Sequence, residues 1–206
     1  MLPIRYSFTP ANENLTGFAS NVTGATWTLT ATACTDGLAH QVSLRNDSAT
    51  NHSAKTATFV GTDVDGHALT ETISMPAGSA TVETTGYFKT LISVTPSATI
   101  GADTMDIGWV DEFISPTIGL DRNGGIVGLN IIVTGTINYT IQQTFNDIQT
   151  LTRTSINWLN NDDTALVAST ASGNGNYIAG VIATRLVVNS YSSGATIQYN
   201  ITQRYV

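Results

Sequence analysis

Leu129-Asn-Ile-Ile-Val-Thr-Gly-Thr-Ile-Asn-Tyr-Thr-Ile-Gln-Gln-Thr-Phe145 carries the clearest structural signal in the chain. Leu129, Ile131, Val133, Ile137, Tyr139, Ile141 and Phe145 fall on one side of a two-residue repeat. Asn130, Thr134, Thr136, Asn138, Thr140, Gln142 and Thr144 fall on the other, and Ile132 alone breaks the pattern. A period of two belongs to a strand with one face in a core, because successive side chains of a strand point to opposite faces. The stretch therefore predicts one long strand, with Gly135 at its middle as the place for a bulge or bend. Just upstream, Asp121-Arg-Asn-Gly-Gly125 predicts a hairpin, since Asn-Gly accepts the positive φ of a tight turn.

The same alternation recurs elsewhere. In Trp27-Thr-Leu-Thr-Ala-Thr-Ala33 the apolar residues share one face and threonines the other, and Val42 and Leu44 alternate with Gln41, Ser43 and Arg45. Further strands are expected at Lys55–Val60, Ala68–Met75, Tyr87–Val94, Met105–Trp109, Ala179–Val188 and Thr196–Gln203. Ala179–Val188 is apolar on both faces and reads as a central strand. Turns are expected at Gly61–Gly66 and Pro76–Gly78, and Asp147–Trp158 is irregular enough to hold a helical turn. Turn signals this closely spaced, with no amphipathic helical pattern of useful length, predict an all-β fold of two antiparallel β-sandwich domains in tandem, Ig-like or jelly-roll.

Composition sets the next limits. The 206 residues include only 11% charged residues, under half the usual share of about 25%. Threonine, serine and asparagine fill the polar faces instead, and β-branched threonine suits a pleated sheet. The net charge is −7 and no run of Lys or Arg occurs, so nucleic acid and anionic membrane are not expected partners. The charge is uneven. Residues 1–113 hold eleven acids against Arg5, Arg45, Lys55 and Lys89, a net of −7, while residues 114–206 hold four of each sign. With the junction read at Asp111–Thr117, this gives an arm over 1–25, an acidic domain over 26–113 and a neutral domain over 114–206. Cys34 is the one cysteine, so each core must hold without an intrachain disulfide. The first residues lack the pattern of a secretion signal, and no apolar run reaches the roughly 18 residues of a membrane span, which points to folding in a cytoplasm.

Searching for chemistry yields few candidates. Asp63-Val-Asp65-Gly66 has the spacing of half a calcium loop, but a strand follows at once and an Asp-Gly turn explains it. His40, His52 and His67 are scattered and read as loop or strand-end residues. No Gly-x-Ser-x-Gly elbow and no phosphate loop is present, so no catalytic residue, metal ligand or cofactor is assigned. Glu71 falls on the inward face with Leu69, Ile73 and Met75, where a carboxylate needs a partner. A sheet edge, a bulge, an ion pair with Lys89 or Arg45, or a contact to a second subunit would account for it. Trp158, Tyr177 and Tyr191 are the aromatic residues that would stack on sugar rings, if they are not core.

Two stretches carry a family resemblance. Gly61-Thr-Asp-Val-Asp-Gly-His-Ala-Leu-Thr-Glu-Thr-Ile73, followed by Tyr87-Phe-Lys-Thr-Leu-Ile-Ser-Val94, resembles a module of tailed-bacteriophage structural proteins. The second half is similar to another phage module at Ile137-Asn-Tyr-Thr-Ile141, Trp158 and Ala183-Thr-Arg-Leu-Val-Val188. The resemblance implies a virion protein without enzymatic activity. A head decoration (cement) protein is the first expectation, and a tail or fibre accessory with a carbohydrate-binding sandwich the second. Its partners would be the major capsid protein or other virion proteins, and copies of itself, a trimer being the simplest arrangement. The arm over 1–25 would add a strand to a neighbour.

Overall fold

A computed structural model of the chain describes residues 3–120, 126–151, 155–177 and 180–203. The fold is all-β, and among the described residues the helical structure amounts to short 3-10 turns, such as Thr164–Leu166. The chain divides into two compact units, Ala11–Phe113 and the combination of Met1–Pro10 with Ile114–Val206. The second unit is thus assembled from both ends of the chain, with the first inserted between its pieces.

The stretch read as an arm is shared between the two. Its first strand, Ile4–Phe8 (β1), belongs to the second unit. The next, Asn14–Val22 (β2), belongs to the first, with Ala39–Asn46 (β3), Thr56–Thr62 (β4), Ala68–Ser74 (β5), Thr81–Phe88 (β6), Thr90–Pro96 (β7) and Met105–Ile114 (β8). Strands β2, β8, β3 and β6 adjoin in one sheet, and β5, β4 and β7 in another. Phe18, Val42, Leu44, Phe59, Met75, Phe88, Leu91, Met105 and Ile107, drawn from both sheets and their ends, form one buried apolar cluster.

Gly17 shows how tightly it is built. A Cβ there would lie 2.0 Å from the Trp109 ring, so only glycine lets β2 pass over that indole. The β2–β8 register shifts on either side of Ala19, which pairs with Ile107, and Trp109 donates its Nε1–H to the Asn12 carbonyl at 2.9 Å.

Two expected strands take a different form. Trp27–Ala33 bends at Thr30, Thr32 and Ala33 and makes no ladder, and the N–H groups of Thr30 and Ala31 both turn to the Phe18 carbonyl. Its inward face survives in part, with Trp27 buried and Leu29 half-buried. Tyr87–Val94 is not one strand either. The chain leaves β6 at Phe88, Lys89 donates its N–H to Thr62, and β7 pairs with β4 in the other sheet.

The second unit adds Ile118–Gly119 (β9), Val127–Thr134 (β10), Ile137–Thr144 (β11), Leu159–Asn160 (β12), Gly173–Tyr177 (β13), Ala183–Tyr191 (β14) and Thr196–Gln203 (β15). The single long strand expected over Leu129–Phe145 does not form. Residues 129–145 form two strands in different sheets, β10 between β15 and β13, and β11 between β14 and β12. Gly135 makes the crossing, with φ of +80°, and a Cβ on it would press on Ala195 at 3.1 Å. The inward pattern persists through the crossing, since Leu129, Ile131, Ile137, Tyr139 and Ile141 are all buried. Phe145 lies past the end of β11 and is exposed, and Ile132, the residue out of pattern, is exposed as well. β14 is buried on both faces, as expected of an inner strand. β1 closes the four-stranded sheet, pairing Ile4 with Ile201, Tyr6 with Tyr199 and Phe8 with Ile197. The hairpin expected at Asp121–Gly125 lies outside the described residues.

Candidate functional site

Glu71 is explained by a defect in the neighbouring strand. Between the pairs Gln41–Tyr87 and Ser43–Glu83, β6 has three residues where β3 has one. Such a bulge frees backbone donors from the ladder. Glu71 receives them: its Oε1 accepts from the Thr85 N–H at 2.7 Å and the Thr85 hydroxyl at 3.0 Å, and its Oε2 from the Gly86 N–H at 2.8 Å. Thr84 completes the repair, accepting from the Val42 N–H and donating to the Gly86 carbonyl. The inward carboxylate therefore pairs with the sheet's own backbone.

The tight turn Cys34–Gly37 brings together side chains that sequence spacing left apart. Donor atoms of Cys34, Asp36 and His40 lie within 4.8 Å of one another. Asp36 Oδ2 accepts from the Ala11 N–H at 2.7 Å and faces His40 Nε2 at 2.9 Å, while Oδ1 accepts from the Leu38 N–H at 2.9 Å. His40 Nδ1 faces the Val110 carbonyl at 3.2 Å, and the ring is fully buried. Burial opposes the charge on Asp36, but the hydrogen bonds from His40, Ala11 and Leu38 outweigh it and hold the carboxyl well below the usual range. Burial, chiefly, pushes the Cys34 thiol up to about 12, so it keeps its proton and is a poor nucleophile. These side-chain types also bind zinc. Here the carboxylate's hydrogen bonds already account for the arrangement, as a clamp tying residue 11 and the turn to β3 and β8.

A second histidine is held in the same manner. His52, buried, faces Asp103 at 3.0 Å through Nε2 and Lys55 Nζ at 3.1 Å through Nδ1, and Lys55 also donates to the Thr99 carbonyl. His67 is exposed beside Asp63. Asp63 Oδ1 accepts from the N–H groups of Asp65 and His67, the side-chain-to-backbone bonds of a turn.

The three aromatic candidates do not share one surface role. Tyr177 and Tyr191 are buried, so their ring faces are taken up by the core. Trp158 is half-buried, with the Arg185 guanidinium carbon 4.1 Å from its ring centroid. Tyr177 instead heads a buried hydroxyl chain. Asn161 Nδ2 donates to its oxygen at 3.0 Å, and that hydroxyl lies 3.2 Å from Thr184 Oγ1, which is also 2.7 Å from the Tyr199 hydroxyl. Thr184 donates its own proton to the Gln142 carbonyl, so both tyrosines donate to Thr184.

This chain ends in a cavity. A polar depression of about 480 Å³ in the second unit is lined by residues of β11, β13 and the loop after β12, among them Gln143, Asn161, Asp162, Asn174, Asn176 and Tyr177. Gln143 is 98% buried by its 2% exposure, yet its Oε1 has no hydrogen-bond partner among the described residues. A signal for this residue lies in the sequence beyond the exception noted at Ile132: 143 is an odd position on the inward face of the stretch 129–145, and an amide there also interrupts the apolar series.

No family model matches the chain, and no curated protein is similar to it.

Proposed function

We propose that the chain is a structural component of a tailed-bacteriophage particle, two antiparallel β-sandwich units that decorate the outside of the head. The observation that carries this reading is a segregation of surface character. Residues 11–113 hold eleven acids against Arg45, Lys55 and Lys89, a net of −8, which leaves +1 for the remainder of the chain. Of the exposed large apolar side chains among the described residues, Ile92 is on the acidic unit, and Ile126, Ile132, Phe145, Leu151 and Leu159 are on the other. Exposed apolar side chains favour protein contact, whereas dense like charge favours solvent. A decoration protein needs both, one unit docked on the shell and the other outward. Docked copies related by the shell's symmetry, as trimers, would cover sheet edges such as β1.

The test is co-purification. The protein is expected with DNA-filled heads at a fixed copy number, with cross-links to the major capsid protein from residues 114–206. Recovery with tails alone, or cross-links only from residues 11–113, overturns the reading.

A further inference from the structure

We infer that Cys34, Asp36 and His40 form a binding site for a zinc ion just beneath the surface of the first unit. Hydrogen bonds hold Asp36 in its clamp, but they leave His40, whose ring is fully buried, in conflict. Its Nδ1 faces the Val110 carbonyl at 3.2 Å and its Nε2 faces Asp36 Oδ2 at 2.9 Å. Both oxygens can only accept, the second as part of a carboxylate held in its charged form. A neutral imidazole has one N–H, so one of its nitrogens would turn a lone pair onto an oxygen. Something positive must lie between them, either a second ring proton or a metal ion. His52 presents no such conflict: Nδ1 accepts from Lys55 Nζ and Nε2 donates to Asp103, so one ring proton satisfies both contacts.

Cys34 favours the metal. A second proton on His40 is satisfied by Asp36 and gives the sulfur no part, whereas an ion uses all three groups, whose donor atoms lie within 4.8 Å of one another. Tetrahedral zinc, with bonds of about 2.0–2.3 Å, spaces its ligand atoms about 3.3–3.8 Å apart. The cluster has that size once the His40–Asp36 contact opens by about 0.4 Å. The orienting bonds are already present. A metal-bound histidine donates its other ring N–H to a carbonyl or carboxylate, and Val110 stands in that relation to Nδ1. The Ala11 and Leu38 N–H groups fix the two oxygens of Asp36 and leave the lone pair that faces His40 for the ion. Thiolate, imidazole and carboxylate together suit zinc, whereas magnesium and calcium call for oxygen ligands. Thr35 and Gly37, the neighbours of Asp36 in the turn, are exposed, which gives the ion, and a water as its fourth ligand, a short way in. Binding releases the Cys34 thiol proton and the proton between His40 and Asp36 to solvent. The ion's two charges replace theirs, so the net charge of the cluster does not change.

The experiment titrates the full chain, reduced, stripped with EDTA and then freed of it, with cobalt(II) chloride and afterwards with zinc chloride. Cobalt is expected to bind at about one equivalent. It should give a thiolate-to-metal charge-transfer band in the near ultraviolet and the intense visible bands of a four-coordinate site. Zinc should abolish both bands and raise Tm. Cys34→Ala should remove the charge-transfer band and weaken zinc binding by more than about a hundredfold. His67→Ala, at an exposed histidine, should leave both unchanged. In EDTA, Cys34→Ala should melt close to wild type, which separates lost ligation from lost folding; if that variant does not fold, the wild-type spectrum decides alone. Absence of the charge-transfer band overturns the inference, as does undiminished zinc affinity in Cys34→Ala. An equal rise in Tm with calcium chloride also overturns it, since a thiolate site does not favour calcium.

Discussion

Asp36 and Glu71 are two of the carboxylates that the first unit turns inward, beside the buried Asp106, and they lend themselves to different tests. The carboxyl of Asp36 is held below its usual range in the folded state, so the charged form favours folding. Its contribution is complete above the unfolded value of about 3.9 and is lost as pH falls through the folded value. Asp36→Asn should lower stability by about 3–5 kcal/mol at pH 7, as removal of one partner of a buried pair does. In denaturant melts the gap between wild type and variant should then narrow steadily below about pH 4. A gap independent of pH would mean that Asp36 acts by shape and not by charge. Glu71 serves as an acceptor for a bulge, so the oxygens matter more than the charge. Glu71→Ala strands two N–H groups and is expected to cost about 1–3 kcal/mol, with Glu71→Gln costing less because one amide oxygen remains to accept. Equal losses in urea melts would show that the charge itself is required.

At the level of elements, β1 is the least local piece of the structure. Its one ladder joins it to β15, nearly the length of the chain away, and it places Tyr6 and Phe8 beside Tyr199 and Ile197. Removing residues 1–10 bares the β15 edge and forfeits about 1.5–3 kcal/mol for Phe8 alone. The truncated protein should be less stable in urea, and a synthetic peptide of residues 3–10 should restore the loss in trans. A peptide without effect would show that β1 contributes little beyond its tether. β1 also marks the limit of what sequence could tell. Alternation located β3, β4, β5 and β15 to within a few residues, because each has one apolar face that a period of two exposes. It could not tell where a strand changes sheets: the inward series passes unbroken through Gly135, since both of the sheets it joins face one core. Trp27–Ala33 keeps part of the alternation without a ladder, because burial dictates the pattern and hydrogen bonding does not. The cavity was illegible for a related reason. Asn161 and Tyr177 meet Gln143 only through the packing of three separate strands and a loop, and the one local trace was an amide at an odd position.

Taken whole, the molecule pairs a contiguous unit with a discontinuous one, and the two should separate in experiment. Residues 11–113 carry their own apolar cluster, so this fragment is expected to unfold cooperatively on its own. Cys34 reports on it: buried, with its thiol pushed up to about 12, it should resist a maleimide in the fragment and in the full chain alike until denaturant opens the unit. Rapid labelling of the fragment in buffer would show that it depends on the rest of the chain. The insertion also sets a schedule for synthesis. On the ribosome, β1 emerges long before β15, and nothing in residues 11–113 is its partner in the finished sheet. The inserted unit can close first, drawing its two ends together and shortening the span that β1 must bridge, which reduces the entropy cost of the last pairing. Until β15 is made, β1 is a bare strand carrying Ile4, Tyr6 and Phe8, open to capture by a neighbouring nascent chain. In a crowded polysome the speed of translation past residue 196 thus decides whether a copy completes itself or is completed by another.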